Sequence, residues 1–297
     1  NLAPRGLVIL VNFNDKELKT DKAEFDSMLN AQNYVRDYTY KSSGKQFSVH
    51  AEGSAGKFFS DQSNGQYKPH FDVVGPYTMS QSMAYYGEND EEHGKDWRSE
   101  EMIAEACIMA DKDVDFSIYD NDGDGKIDFV YIFYAGYGEA ESGIANTIWP
   151  QSYELSLNYY KTHDYIRLDG KLLDSYACSQ ELLYSTRQHD GIGTFCHEFS
   201  HVLGLPDYYD TQYGMNFDTY YNTPKNWHVM DHGSYNNGGE TPPNYSAYDR
   251  YFLGWLTPKT MEQGTDVELT TDYNDVNQIS RSGNLQSPTC GDTIYYV

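Results

Sequence analysis

Basic residues are scarce in this chain: 21 Lys and Arg stand against 45 Asp and Glu, a formal net charge of −24. Binding nucleic acid through its phosphates needs a Lys/Arg surface, so no nucleic-acid partner is expected. Strong acidity favours solubility and invites divalent cations, but by itself it names no substrate. Cysteine is scarce too. Cys107, Cys178, Cys196 and Cys290 are the four present, and none has CxxC spacing. One or two disulfides are possible, with three pairings if all four engage. Cys196 falls on an inward helix face as a buried thiol or a disulfide partner, with Cys178 the candidate mate. No apolar run reaches the roughly 20 residues of a membrane span. There is no initiator Met and no signal peptide, so "NLAPRG" reads as the start of a processed or trimmed chain. Internal repeats and low-complexity tracts are also missing.

Aromatic residues, by contrast, are plentiful. Phe, Tyr and Trp make up 15% of 297 residues, with 29 Tyr. Such a chain can build one large domain or two modest ones. Its core is then partly aromatic, with Tyr in half-buried layers. "GLVILVNFND" (6–15) is an apolar run closed by turn residues and predicts a buried strand. "DKAEFDSMLN" predicts an amphipathic helix, and "QFSVHAEG" and "HFDVVGPYTMS" predict strands. "SDQSNGQ" (60–66) reads as a loop and 86–97 as a polar connection. "SEEMIAEACIMAD" is a helix with Ser99 as N-cap and Ile103, Ala106, Cys107 and Ala110 inward. Strands are expected near 147–149 and 165–168, a helix in "YSAYDRYFLGWL", and strands in "VELTTDYN" and "TIYYV". Interleaved helices and strands over the first two hundred residues predict a mixed α/β layered domain.

"IGTFCHEFSHVLGLPD" (192–207) carries the chemistry. On a helix, Ile192, Phe195, Cys196, Phe199, Val202 and Leu203 share one face. His197 and His201 lie one turn apart near the other, as residues four apart do. Two imidazoles so placed can close on one zinc ion. Gly204 permits a left-handed helix end, after which Leu205 and Pro206 redirect the chain and Asp207 can return to the metal. Asp210 and His232 are alternative third ligands. A His₂–carboxylate set with an open position suits catalysis. Glu198, offset to the side, would take a proton from a metal-activated water as it attacks a peptide carbonyl and pass one to the leaving amine. The plain alternative is an exposed helix with a chance HExxH.

"DNDGDGKID" has calcium-loop spacing: Asp120, Asp122 and Asp124 at positions one, three and five, the Lys126 carbonyl at seven and Asp128 at nine. Gly125 permits the turn. Tyr131 stands where an EF-hand has Glu, so Glu139, Glu141 or water would complete the set. The plain alternative is a solvated acidic turn.

HExxHxxGxxD extends the short zinc motif as metzincin peptidases do, and "HEFSHVLGLPDYYDT" resembles the immune inhibitor A family of secreted bacterial metallopeptidases. The resemblance takes in "FDVVGPYTMS", "DNDGDGKIDFVYIFYAGYGE", "WPQSYEL" and "SAYDRYFLGWLTP", most of residues 5–258. It implies that "NWHVMDHGSY" is a Met-containing turn beneath the metal, with Met230 its methionine. Many metzincins place Tyr two residues after this Met; here His232 stands there, with Tyr235 further on. The family includes calcium-binding members. Together these readings predict a metzincin-like zincin fold: a twisted mixed β-sheet with helices and an irregular C-terminal subdomain. The catalytic domain would span 1–258, divided into an upper part (1–203) and a lower part (204–258). Residues 259–297 would open a further, truncated β region. The expected protein is a secreted or cell-surface bacterial zinc endopeptidase, monomeric, acting on protein or peptide that adds a strand to the sheet edge. A calcium-stabilised inactive binding or adhesion module is the competing class; an exopeptidase or glycoprotein-directed peptidase is the third.

Overall fold

Strands that are apolar at every position must be covered on both faces. "GLVILV" and "VYIFYA" are two such runs, and they become neighbours at the centre of a five-stranded sheet. The computed structural model describes residues 3–90, 96–157, 166–211, 223–260, 277–281 and 293–296. In chain order its strands are β1 (Arg5–Asn12), β2 (Val35–Ser42), β3 (Lys45–Glu52), β4 (His70–Thr78), β5 (Lys126–Ile127), β6 (Val130–Tyr137), β7 (Gln151–Glu154), β8 (Arg167–Leu168), β9 (Lys171–Leu173), β10 (Ser175–Leu182), β11 (Lys259–Thr260), β12 (Asn277–Arg281) and β13 (Thr293–Tyr296). Its α-helices are α1 (Lys22–Asn30), α2 (Ala55–Gln62), α3 (Met83–Tyr86), α4 (Ser99–Ala110), α5 (Glu139–Ser142), α6 (Ile192–Val202) and α7 (Ala247–Phe252).

The main sheet runs β4-β1-β6-β10-β7. Its first four strands are parallel, and β7 pairs antiparallel with β10 at one end. In register, Leu7 to Val11 of β1 face Val130 to Tyr134 of β6. Alternation then sorts the side chains into two cores. Leu7, Ile9, Ile132 and Cys178 point to the face covered by α4, through Met102, Ile103 and Cys107. Val8, Leu10, Tyr131 and Phe133 point to the face covered by α1, α2 and α6, through Phe25, Phe59, Phe195 and Phe199. The result is a mixed α/β domain with helices on both sides of a mixed sheet.

Several expectations are corrected here. Cys178 and Cys196 are separate buried thiols, because they sit in the two cores on opposite faces of the sheet. Cys107 is likewise a buried free thiol. The predicted loop at 60–66 is helical to Gln62, since Phe59 anchors α2 in the core. Ser99 does not cap α4: Arg98 holds that position without a side-chain bond, and the Ser99 hydroxyl donates to the Asp96 carbonyl. The strand expected near 147–149 begins at Gln151 instead. Strands β11, β12 and β13 pair in a three-stranded sheet of their own. "VELTTDYN", Tyr165, Cys290 and 91–95 of the polar connection lie outside the described residues.

Candidate metal centre

The helix α6 is anchored by aromatic packing. Phe195 packs on Tyr131 and Phe71 with ring centroids 4.5 and 4.9 Å away, and Phe199 packs on Phe129 and Phe59 at 4.8 and 4.9 Å. Each such pair adds about 0.5–1.5 kcal/mol beyond area burial. At the helix start, a Cβ on Gly193 would stand 1.9 Å from the Ser234 carbonyl oxygen. Only glycine therefore lets the loop through Ser234 approach so closely. Amphipathic reading underestimates this helix, because every residue from Ile192 to Ser200 is buried.

Its C-terminus is a Schellman motif. The N–H of Gly204 donates to the His201 carbonyl at 2.9 Å, and the N–H of Leu205 donates to the Ser200 carbonyl at 3.1 Å. Gly204 has φ +94°, which glycine adopts without cost. The same turn presents the Leu205 carbonyl to His201 Nδ1 at 2.8 Å. His197 Nδ1 meets the Val229 carbonyl, also at 2.8 Å. A carbonyl only accepts, so both rings carry their proton on Nδ1 and present bare Nε2 when neutral.

Asp207 comes back to meet them. Its Oδ1 lies 3.2 Å from His197 Nε2 and 3.3 Å from His201 Nε2. That oxygen is buried, and neither ring is aligned to give it a hydrogen bond. Three lone-pair atoms facing one another fit a cation between them. With bonds of roughly 2.0–2.1 Å, donors around a tetrahedral zinc stand about 3.3–3.4 Å apart. The observed separations match, so the residues present fit the metal. Glu198 completes the cluster: its carboxylate and the two imidazole nitrogens lie within 4.8 Å of one another. Asp210 is exposed, and the His232 ring leans on Asp231 rather than into the cluster.

Electrostatics follow from this crowding. Without a cation, burial opposes charge on His197, but Asp207 and Glu198 outweigh it and raise its pKa to about 8. His201 is raised for the same reasons. Burial raises Glu198, with the imidazoles opposing. Burial would also raise Asp207, yet the two imidazoles hold it well below the usual carboxylate range.

His197 and Glu198 open onto a cavity of about 380 Å³, lined also by Trp149, Thr194, Tyr209, His232 and Tyr235. Tyr209 lies nearly parallel to the His197 ring at 6.3 Å. Met230 is fully buried in the core beneath α6, whereas Trp227, three residues earlier, is 86% exposed.

Just before α6, Asp190 is 1% exposed. Burial pushes its carboxyl up to about 7, with Glu240 adding and the Gln180 amide opposing. The folded state thus prefers the protonated form, while the unfolded group titrates near its ordinary 3.8. This contribution to stability is complete below that value and is lost as pH rises through about 7. Asp190→Asn should therefore flatten the decline in Tm across that window. A wild-type-minus-variant Tm difference that did not change with pH would contradict this.

The acidic loop converges in part. Asp120, Asp122 and Asp124 place carboxylate oxygens within 4.8 Å of one another. Asp120 also accepts from the N–H groups of Gly123 and Gly125 and from the Lys171 ammonium at 2.6 Å. Asp128 instead accepts from the Asn121 N–H and amide, and the Lys126 ammonium pairs with Asp174 at 3.2 Å. Glu139 and Glu141 do not complete the set. Glu139 accepts from the Asn89 amide, and Glu141 accepts from the N–H groups of Tyr184 and Ser185.

Sequence reasoning missed the Leu205 and Val229 carbonyls, the cavity walls Trp149 and Tyr209, and the buried Asp249. Backbone acceptors leave no residue signature; Asp249 left a faint one, as the acid three residues into a Ser-started helix.

Comparison with known proteins supplies the affiliation. Residues 3–256 match the family described as immune inhibitor A peptidase M6, catalytic domain. The chain is 30% identical over 219 residues to the pre-pro-metalloprotease PrtV of Vibrio cholerae serotype O1, covering 66% of this chain and 23% of that protein. It is 26% identical over 250 residues to immune inhibitor A of Bacillus thuringiensis subsp. alesti, covering 75% of this chain and 34% of that protein. The chain thus spans only a quarter to a third of these curated relatives. Matched along most of its length by a catalytic-domain family, the chain belongs to the immune inhibitor A, or M6, family of peptidases.

Proposed function

We propose that the chain is a secreted zinc endopeptidase in which His197, His201 and Asp207 hold zinc and Glu198 is the general base and acid. One observation carries this reading: two Nε2 atoms, each with its Nδ1 proton given to a carbonyl, face Asp207 Oδ1 at 3.2 and 3.3 Å. Zinc bound there supplies Lewis acidity, which lowers the pKa of water and polarises a carbonyl. The chain's own groups do the rest. Glu198 accepts a proton from the attacking water as its oxygen bonds to the peptide carbon. The C–N bond then breaks, and Glu198 returns the proton to the amine nitrogen. Burial of Glu198 raises its affinity for that proton, as a shuttle requires. Met230 supports the site from below, and the segment around it supplies the Val229 acceptor.

An extended substrate fits alongside β7. That strand ends the sheet, and Trp149 and Pro150 just before it line the cavity with Glu198. Peptide added there would gain main-chain hydrogen bonds. The catalytic unit is proposed to cover 1–258, with the lower part starting at the Gly204 turn and a separate β region from 259. The family match, which ends at 256, supports that limit. Among the described residues no helix is long and apolar enough to cross a membrane. Metal analysis combined with cleavage of a peptide library, with and without chelator, tests the whole reading. Stoichiometric zinc and chelator-sensitive cleavage are expected. Bound zinc with no cleavage of any peptide would favour an inert binding module instead.

Calcium at the acidic loop belongs to the same proposal. The convergence of Asp120, Asp122 and Asp124 supports it, with Lys171 as a competitor for Asp120. Calcium is expected to raise Tm and slow autolysis of the zinc-loaded protein. If neither moves in millimolar calcium, the loop is a solvated turn.

A further inference from the structure

We infer that Asp249 is a positioning residue of the metal centre, clamping the two segments that meet around the imidazoles; the inference rests on the ligand set proposed above. Asp249 lies on α7 and is 0% exposed. A carboxylate at this position of a capping box needs one bond to the chain start, and Asp249 makes it: its Oδ2 accepts from the Ser246 N–H at 2.9 Å. Such a box works at the surface. Full burial of the charge requires further partners.

Two of those partners lie on the segments around the metal site. Oδ1 accepts from the Tyr208 hydroxyl, and Oδ2 accepts from His228 Nε2 at 2.6 Å and the Ser246 hydroxyl at 2.6 Å. The other His228 nitrogen, Nδ1, accepts the Met230 N–H at 3.0 Å. Nδ1 is therefore bare and Nε2 carries the proton, which fixes the tautomer that Asp249 receives. The ring centroids of Tyr208 and His228 lie 4.3 Å apart, with the planes tilted by 37°.

Tyr208 and His228 each lead directly to a ligand. Tyr208 follows Asp207, and its N–H donates to the Met230 carbonyl at 2.8 Å. Val229, between His228 and Met230, offers the carbonyl that takes the His197 Nδ1 proton. One carboxylate thus fixes both the strand of chain that delivers Asp207 and the acceptor that orients His197. Its own base is firm. Arg250, next along α7 and 1% exposed, donates from Nε to the Gln62 carbonyl at the end of α2, at 2.9 Å. The helix α2 packs in the same core as α6, so clamp and ligand helix share one frame.

Asp249→Asn preserves size but replaces one acceptor oxygen with a donor amide. Its one acceptor oxygen keeps the His228 and Ser246 bonds only if the amide turns to Tyr208, whose hydroxyl must then switch from donor to acceptor and lose its charge-assisted bond. Zinc affinity of the variant, measured by competition with a chromophoric chelator, should fall about 10–100-fold, the range for lost outer partners of metal ligands. The visible spectrum of the Co2+-loaded variant should shift from wild type, since Asp207 and His197 are reoriented. Tyr208→Phe, which removes one clamp bond and no packing, should lose affinity in the same direction and keeps the test open if Asp249→Asn does not fold. Ser246→Ala removes the cap and one donor to Oδ2 but leaves the Tyr208 and His228 bonds in place; it should lower Tm while leaving zinc affinity and the Co2+ spectrum unchanged. Unchanged affinity and spectrum in both Asp249→Asn and Tyr208→Phe would overturn the inference, as would an equal affinity loss in Ser246→Ala. Asp207→Ala separates the two levels. If it binds zinc like wild type, the ligand set itself is wrong; if it loses zinc while the clamp variants do not, only the role of Asp249 fails.

Discussion

Glu198→Gln is expected to lower kcat/KM for an unstructured protein substrate by about 10²–10⁴-fold, the range for loss of a positioned general base. The zinc content should stay at the wild-type level. The two halves of this prediction come from different geometry. On the proposed ligand set, metal retention depends on His197, His201 and Asp207; the two imidazoles are oriented by the Val229 and Leu205 carbonyls, not by Glu198. Catalysis depends on a carboxylate that reaches the cavity beside the imidazoles without replacing any of them. Gln keeps the volume at this buried position but cannot take a proton. Because burial already disfavours the Glu198 charge, removing it should not destabilise the fold, and the variant's Tm should equal or exceed wild type. Cleavage assays and metal analysis on the same preparation check this. Near-wild-type turnover would remove Glu198 from the mechanism.

The readable parts of this molecule were those encoded locally. His197, Glu198 and His201 sit within one and a half turns of α6, and the structure places Asp207 through a turn whose glycine was visible in the sequence. The central strands were readable because burial on two faces leaves an uninterrupted apolar run. Long-range partners were not readable. Asp249 is 42 residues beyond Asp207, and nothing in "SAYDRYF" distinguishes a capping acid at the surface from one buried against Tyr208 and His228. The thiol pair failed for a related reason. Spacing does not say which face of β10 Cys178 occupies, and alternation turned it towards α4 and away from Cys196. Of the acidic loop, spacing predicted a convergence of alternate carboxylates but could not foresee Lys171, which reaches Asp120 from a neighbouring strand.

Chelation should be the most damaging single treatment. Removing a cation bound as proposed would leave Asp207 Oδ1 facing the two imidazole nitrogens at 3.2 and 3.3 Å with no aligned proton between them. Protonation of a ring offsets part of this, since burial opposes the charged form of both His197 and His201 but Asp207 and Glu198 outweigh it and favour that form. A zinc-selective chelator is therefore expected to abolish peptidase activity, and added zinc to restore it. Stability should fall with it. A ligand held at a thousandfold above its Kd contributes about 4.1 kcal/mol, and for a domain of this size class each kcal/mol moves Tm by roughly 2–4 °C, so a loss of about 8 °C or more is expected. Asp207→Ala should already sit near the chelated Tm and respond little to chelator, since the same three-atom cage is broken in both. If wild type kept its activity and Tm in the chelator, no cation would be relieving that cluster.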